Sequence, residues 1–130
     1  MKWIDYANPS SLAEAIDLLA KNGERARLLA GGTDILVQLR SKRREPDLLV
    51  NAKAIPELNE LTYDPAAGLT LGAAVPCYKI YGDAAVSSAY PGLIDCTSII
   101  GGTQIQGRAS VGGNLCNSAP RADAIPLMIA

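Results

Sequence analysis

The sequence predicts an α+β fold: a small βαβ-like unit followed by the start of an antiparallel sheet with helices. Three observations carry this. Up to residue 55, short strand-like runs alternate with a segment of helical period. Near the middle, two apolar runs are joined by Pro65-Ala66-Ala67-Gly68, the pattern of a hairpin. After that, apolar segments of helical length are separated by proline and glycine breaks.

Trp3-Ile4-Asp5-Tyr6 alternates apolar and polar side chains as a first strand does, and Asn8-Pro9-Ser10 breaks it. Ser11 followed by Glu14 is a capping-box pair, so a helix starts here. Leu12, Ala15, Ile16 and Leu19 share one of its faces, and Gly23 is placed to end it. Arg25 to Ala30 reads as a second strand, buried at Leu28 and Leu29, that runs into Gly31-Gly32. Thr33 is positioned to cap a helix from Asp34 to about Arg40. Asp47 to Asn51 is a third strand, and Ile55-Pro56-Glu57-Leu58 reads as a hinge. It divides the chain into residues 1–55 and 56–130.

Glu60 to Asp64 and Leu69 to Ala73 form the hairpin. Pro76 to Asp83 and Leu93 to Ile99 read as helices, the second after the Pro91-Gly92 break. Gly101 to Asn117 is too rich in glycine and polar residues for a plain helix, with room for a short strand between Gln104 and Val111. Ala122 to Ala130 begins another apolar helix, inside which the sequence stops.

With 130 residues, 48% of them hydrophobic and 19% charged, the chain suits one compact domain with a real core. Its net charge of −1 provides no field to gather nucleic acid. No apolar stretch is long enough to span a bilayer, and Met1 to Asp5 lacks the pattern of a secretory signal, so the expected location is cytoplasmic. The basic run Arg40-Ser41-Lys42-Arg43-Arg44 falls at a helix end, where cations complement the dipole. It reads as a solvated helix end or, more sharply, as a contact for an acidic partner.

Cys77, Cys96 and Cys116 are far apart, and the chain has no histidine, so no metal site is expected. Cys77 and Cys96 read as buried free thiols. Cys116 sits in the second glycine segment, near any ligand bound there. Without histidine, and without a serine or cysteine in a nucleophile elbow, no residue reads as a catalytic acid, base or nucleophile.

Two glycine pairs stand out: Leu28-Leu29-Ala30-Gly31-Gly32-Thr33-Asp34-Ile35 and Ala109-Ser110-Val111-Gly112-Gly113-Asn114-Leu115-Cys116-Asn117. Each follows an apolar run and precedes small polar residues, as in loops that bring backbone N–H groups close to a phosphate. The first also has the order strand, glycine turn, helix start, which favours anions. Its spacing fits neither the Rossmann fingerprint nor the Walker loop.

Four stretches together resemble the FAD-binding subunit of the molybdenum hydroxylases, the family of xanthine dehydrogenase and the carbon monoxide dehydrogenase medium subunit. They are Pro9-Ser10-Ser11-Leu12-Ala13-Glu14-Ala15, Ala30 to Asp34, Gln104 to Asn114, and Pro120-Arg121-Ala122-Asp123. They come in the family's order and span nearly the whole chain. The resemblance implies the FAD-binding PCMH-type fold, truncated here, since the family's unit continues with more sheet and a separate C-terminal domain.

The resemblance also implies FAD as cofactor, its pyrophosphate over the glycine loops. Leu28, Leu29, Ala30, Gly31, Gly32, Thr33, Asp34 and Ile35 would supply the first loop; Ser110, Val111, Gly112, Gly113 and Asn114 the second. Ile100 would offer an apolar face, and Asp123, with Asn117 near it, would accept from a ribose hydroxyl or adenine amine. The competing reading has Asp123 capping the last helix and Asn114 and Asn117 holding turns. Asp34 would repel a phosphate unless its carboxylate turned away onto its own helix.

The function implied is electron transfer. The chain would be a flavin subunit, or part of one, working with a molybdopterin-binding large subunit and an iron–sulfur small subunit, and passing electrons to an external acceptor. Two alternatives stand beside it. One is a truncated domain without FAD that serves as a structural or assembly piece. The other is a flavoprotein of the vanillyl-alcohol-oxidase type, a group that often attaches flavin through histidine, which this chain lacks.

Overall fold

The computed structural model describes residues 2–119 and 122–129. The chain begins with β1 (Asp5–Ala7), α1 (Leu12–Asn22), β2 (Ala26–Leu29), α2 (Ile35–Arg40) and β3 (Leu48–Asn51). The three strands form a parallel sheet in the order β1-β3-β2, with Asp5 and Ala26 both opposite Leu48. The run Leu48-Leu49-Val50 suits the central strand because both of its edges are paired. Val50 is fully buried.

Strand β1 begins two residues later than the alternation suggests, where Asp5 N–H donates to the Asp47 carbonyl at 2.8 Å. Trp3 is left 89% exposed. The cap of α1 forms, with one shift: Ser11 Oγ accepts from Glu14 N–H at 3.2 Å, while Glu14 Oε2 accepts from Ser10 N–H rather than from Ser11. Gly23 ends the helix at φ +53°.

The buried stripe of α1 is Ala15, Leu18 and Leu19, packed on Leu48, Val50, Ile55 and Leu58. Ile16, expected on that face, is 61% exposed. The helix rests on β2 and β3 with Ile55 and Leu58 beside them, so only a narrow stripe of it finds a seat. A second correction concerns β2. Leu28 is 46% exposed and Leu29 half-buried, because this edge strand turns Leu28 toward an open cavity rather than toward a helix.

Helix α2 starts after Asp34, and neither Thr33 nor Asp34 supplies a side-chain cap. Asp34 already has helical dihedrals (φ −95°, ψ −47°), outside the extended geometry that lets a capping side chain fold back onto its helix. Its carboxylate therefore lacks the intrahelical bonds expected of it.

The supposed hinge is a packed corner of two 3₁₀ turns, Ala52–Ala54 and Pro56–Asn59. Ile55 between them is fully buried, and Asn59 Nδ2 ties them by donating to the carbonyls of Lys53 and Ile55. The hairpin follows as β4 (Leu61–Asp64) and β5 (Gly68–Leu71), antiparallel, with Leu61 opposite Leu71. Asp64 Oδ1 shapes its turn by accepting from Ala66 and Ala67 N–H, each at 2.8 Å.

Six helices come next: α3 (Cys77–Gly82), α4 (Ala84–Ala89), α5 (Pro91–Ser98), α6 (Thr103–Gln106), α7 (Val111–Cys116) and α8 (Ile125–Ile129). Helix α4 was not expected from the sequence, though Asp83 caps it by accepting from Ala85 and Val86 N–H. Pro91 opens α5 because a first helical residue needs no N–H partner.

The expected strand within 104–111 is reduced to one bridge between Pro76 and Ser110, and helices stand on either side of it. Two contacts offset the poor helix propensity of Gly112-Gly113 in α7. Ser110 Oγ caps the helix by accepting from Gly113 N–H at 3.1 Å, and Gly112 packs against Ala73. The core of this half joins Val75, Ile80, Val86, Leu93, Cys96, Val111 and Ala124 to the inner face of the hairpin. Tyr63 and Tyr90 meet edge to face beside it, centroids 5.8 Å apart.

Candidate functional site

A cavity of about 430 Å³ opens where β2 ends, its far wall formed by α7. A crevice beyond the carboxyl ends of parallel strands is where such sheets bind ligands, since loops and helix starts gather there. The first glycine segment contributes Leu28, Ala30, Gly31, Gly32, Thr33, Asp34 and Ile35 to the lining. The second contributes Ser110, Gly112, Gly113, Asn114 and Asn117, and Ile100 adds an apolar wall.

The two segments touch. A Cβ on Gly31 would stand 2.5 Å from the Arg108 carbonyl oxygen, and one on Gly112 2.5 Å from Ala73 Cβ. Both glycines are thus required by the approach of one backbone to another, a reason distinct from room for a ligand. Arg108 adds a side-chain tie, its Nε donating to the Gly31 carbonyl at 3.3 Å. Gly32 has φ +84°, a conformation that L side chains rarely adopt.

Three expected residues lie off the cavity. Leu29 packs under Gly32, and Val111 belongs to the core between α7 and the hairpin. Asp123 lines a separate depression with Asp95, Cys96 and Leu127. The reason is visible in the adjacent residue, where Ala124 N–H donates to Asn114 Oδ1 at 3.2 Å and holds the approach to α8 against α7.

Several polar side chains expected to meet a ligand have protein partners. Ser110, 2% exposed, accepts from Gly113 and keeps its hydroxyl proton to donate. Asn117 Oδ1 accepts from Gln38 Nε2 at 2.8 Å. The basic run after α2 does more than face solvent, because Arg44 lines the cavity and its Nε donates to Gln38 Oε1 at 2.9 Å.

The lining also includes Arg27, Gln38, Arg44, Ala52, Leu58, Ala73 and Ala74, which no sequence motif named. One was recoverable, since Gln38 lies four residues after Asp34 on the same side of α2. The alanines carry no motif: the hairpin's exit brings in Ala73 and Ala74, and the turn after β3 brings in Ala52.

Burial sets the thiols apart. Desolvation pushes Cys77 up to about 11 from its ordinary 9.0, and it raises Cys96 too, where Asp123 and Asp95 add to the effect. Cys116 is exposed and lines the cavity. Outside the cavity, Lys53 is lowered first by burial and then by the neighbouring cations Arg108 and Lys79, while its Nζ donates to the Ala74 carbonyl. Among the described residues, no helix is long and apolar enough to cross a membrane.

The sequence profile of the family described as "FAD binding domain in molybdopterin dehydrogenase" matches residues 2–130. A xanthine dehydrogenase FAD-binding subunit from Escherichia coli is 38% identical over 125 residues, covering 95% of this chain and 42% of that subunit. The carbon monoxide dehydrogenase medium chain of Hydrogenophaga pseudoflava is 29% identical, covering 97% of this chain and 44% of its own. In the solved structure of reconstituted CO dehydrogenase from Oligotropha carboxidovorans, one chain superposes with a TM-score of 0.92 at 29% identity. That match covers 98% of this chain and 44% of the other. The chain thus spans less than half the length of these relatives.

Proposed function

Because the chain belongs to the family of FAD-binding domains of molybdopterin dehydrogenases, we propose that its cavity holds FAD for electron transfer within a molybdenum hydroxylase. The observation that carries this is the convergence of both glycine segments on one cavity, with their backbones in contact. A volume of about 430 Å³ falls within the range of small-molecule sites.

The residues present fit the group. Gly31, Gly32, Gly112 and Gly113 offer backbone close to the cavity with no side chain in the way, and the Ser110 hydroxyl adds a donor. Leu28, Ile35 and Ile100 provide apolar surface, and Arg27 and Arg44 bring positive charge for an anionic ligand. When bound, FAD would supply the redox chemistry. The chain's own part is to position the cofactor and to stabilise its charge.

At the level of the complex, we propose a molybdopterin-binding large subunit and an iron–sulfur small subunit as partners, with an external acceptor taking the electrons. We assign residues 1–55 and 56–130 as the two parts that meet at the cavity. Three free cysteines among the described residues suit a reducing compartment, and we propose the cytoplasm.

The test is a visible absorption spectrum of the purified chain before and after addition of FAD, with excess removed and released flavin identified by chromatography. A bound flavin spectrum that disappears in Gly113→Val is the expected result. A Cβ at Gly113 already stands 3.0 Å from Ser110 Oγ, and further atoms crowd the lining. A chain that stays colourless would overturn the reading and leave the structural or assembly role.

A further inference from the structure

We propose that Arg44 is the charge partner of a phosphate group on the ligand in this cavity, set in place by Gln38 and Asn117. The inference rests on the reading of the cavity as an FAD site and names a contact that the glycine segments do not provide.

Helix α2 does not simply fray into its basic tail. Lys42 takes a left-handed turn at φ +57°, Lys42 N–H donates to the Leu39 carbonyl at 3.2 Å, and Arg43 N–H donates to the Gln38 carbonyl at 2.9 Å. These bonds make a Schellman turn, which folds the chain back along its own helix. The turn brings Arg44 beside Gln38, and Arg44 Nε donates to Gln38 Oε1 at 2.9 Å. The other end of the same carboxamide, Nε2, donates to Oδ1 of Asn117, the residue that ends α7, at 2.8 Å. Both ends of the Gln38 amide are engaged, so its orientation is fixed.

This relay joins two parts of the chain 79 residues apart, and Arg44, Gln38 and Asn117 all line the cavity. Its acceptors are neutral amides. Among the described residues the one ion pair, Lys2 with Asp47, lies elsewhere, and Arg44 is in none. A guanidinium held at Nε by a neutral group keeps its full charge, and its two terminal nitrogens remain to meet two oxygens of one phosphate. The other charged groups in the lining are Arg27, whose Nη1 is turned back onto the Ala26 carbonyl, and Asp34. Asp34 opposes an anion, so the site needs a cation to offset it.

Flavin titrations of the full chain test this, with FAD and phosphate-free riboflavin as probes at several salt concentrations. Arg44→Met is expected to weaken FAD binding about tenfold, flatten its salt dependence and leave riboflavin binding unchanged. Gln38→Leu is expected to weaken FAD binding less. The double variant is expected to bind no worse than Arg44→Met alone, because Gln38 acts through Arg44. Arg44→Lys is expected to recover part of the loss.

FAD binding by Arg44→Met equal to that of the parent would overturn the proposal, as would an equal loss of FAD and riboflavin. Should riboflavin bind the parent too weakly to titrate, the salt slope decides, and an unchanged slope in Arg44→Met overturns it. Additive losses in the double variant would reduce Gln38 to a structural tie. A parent chain that binds no flavin sinks the reading of the cavity itself, whereas a parent that binds FAD beside an unaffected Arg44→Met sinks only this contact.

Discussion

Gly31 and Arg108 lie so close that a single methyl group on Gly31 would stand 2.5 Å from the Arg108 carbonyl oxygen. Neither partner can yield cheaply, because the obstacle is backbone on both sides. Gly31→Ala is therefore expected to destabilise the fold by about 1–3 kcal/mol and to weaken flavin binding. Gly82→Ala, whose new Cβ would meet nothing within 4 Å, serves as the control. Urea denaturation of both variants checks this, and equal midpoints would refute it.

Lys42 occupies a left-handed position that a glycine accepts without strain. Lys42→Gly should stabilise the chain by about 0.5–1 kcal/mol while leaving the turn, and so flavin affinity, unchanged. A denaturation midpoint that falls, or an affinity that changes, would count against the geometry of this turn.

Native thiol labelling should modify Cys116 alone, because Cys77 and Cys96 are buried and their thiols are held above the ordinary range. The reaction should slow when FAD is present, since Cys116 lines the cavity. Fast labelling of Cys77 before unfolding, or no protection by bound FAD, would contradict the placement of these residues.

Alkaline pH tests Cys77 further. Its folded pKa, about 11, lies above the ordinary 9.0, so its stabilising effect is complete below pH 9 and is lost as pH rises toward 11. Denaturation midpoints measured from pH 8 to 11 should fall for the parent more steeply than for Cys77→Ala. Parallel curves would remove the effect.

Asp64 has the opposite sign. The N–H groups of Ala67 and Ala66 hold its carboxyl below the ordinary 3.8, so it stabilises the hairpin above that pH and ceases to as pH falls through its lower folded value. Asp64→Asn keeps an acceptor for the turn and does not titrate. Its thermal midpoint should therefore fall less than the parent's between pH 4 and the acid limit.

Features set by local chemistry were legible in the residues. The Ser11 cap and Gly23 stop bounded α1, the strand-like runs placed all three parallel strands to within two residues, and Pro65 to Gly68 marked the hairpin turn. The paired glycine segments pointed to a family, and most of the residues they named line a single cavity. Local patterns can do this because caps, turns and strand alternation are set by residues within a few positions of one another.

Which surfaces those elements share depends on how they pack. Periodicity offered Ile16 as well as Ala15 to the core of α1, and the narrow seat on β2 and β3 left Ile16 in solvent. Glycine content argued against a helix at Val111–Cys116, and the contact of Gly112 with Ala73, far away in sequence, permits one. Arg44 read as part of a solvated helix end or a contact for an acidic partner, and the turn at Lys42 lays it on Gln38; Asn117 read as a ligand contact or a turn residue, and α7 brings it to the same amide. The turn at Lys42 is local, but the contacts of Gln38 with Asn117 and of Gly112 with Ala73 join segments tens of residues apart, and packing rather than local preference sets those.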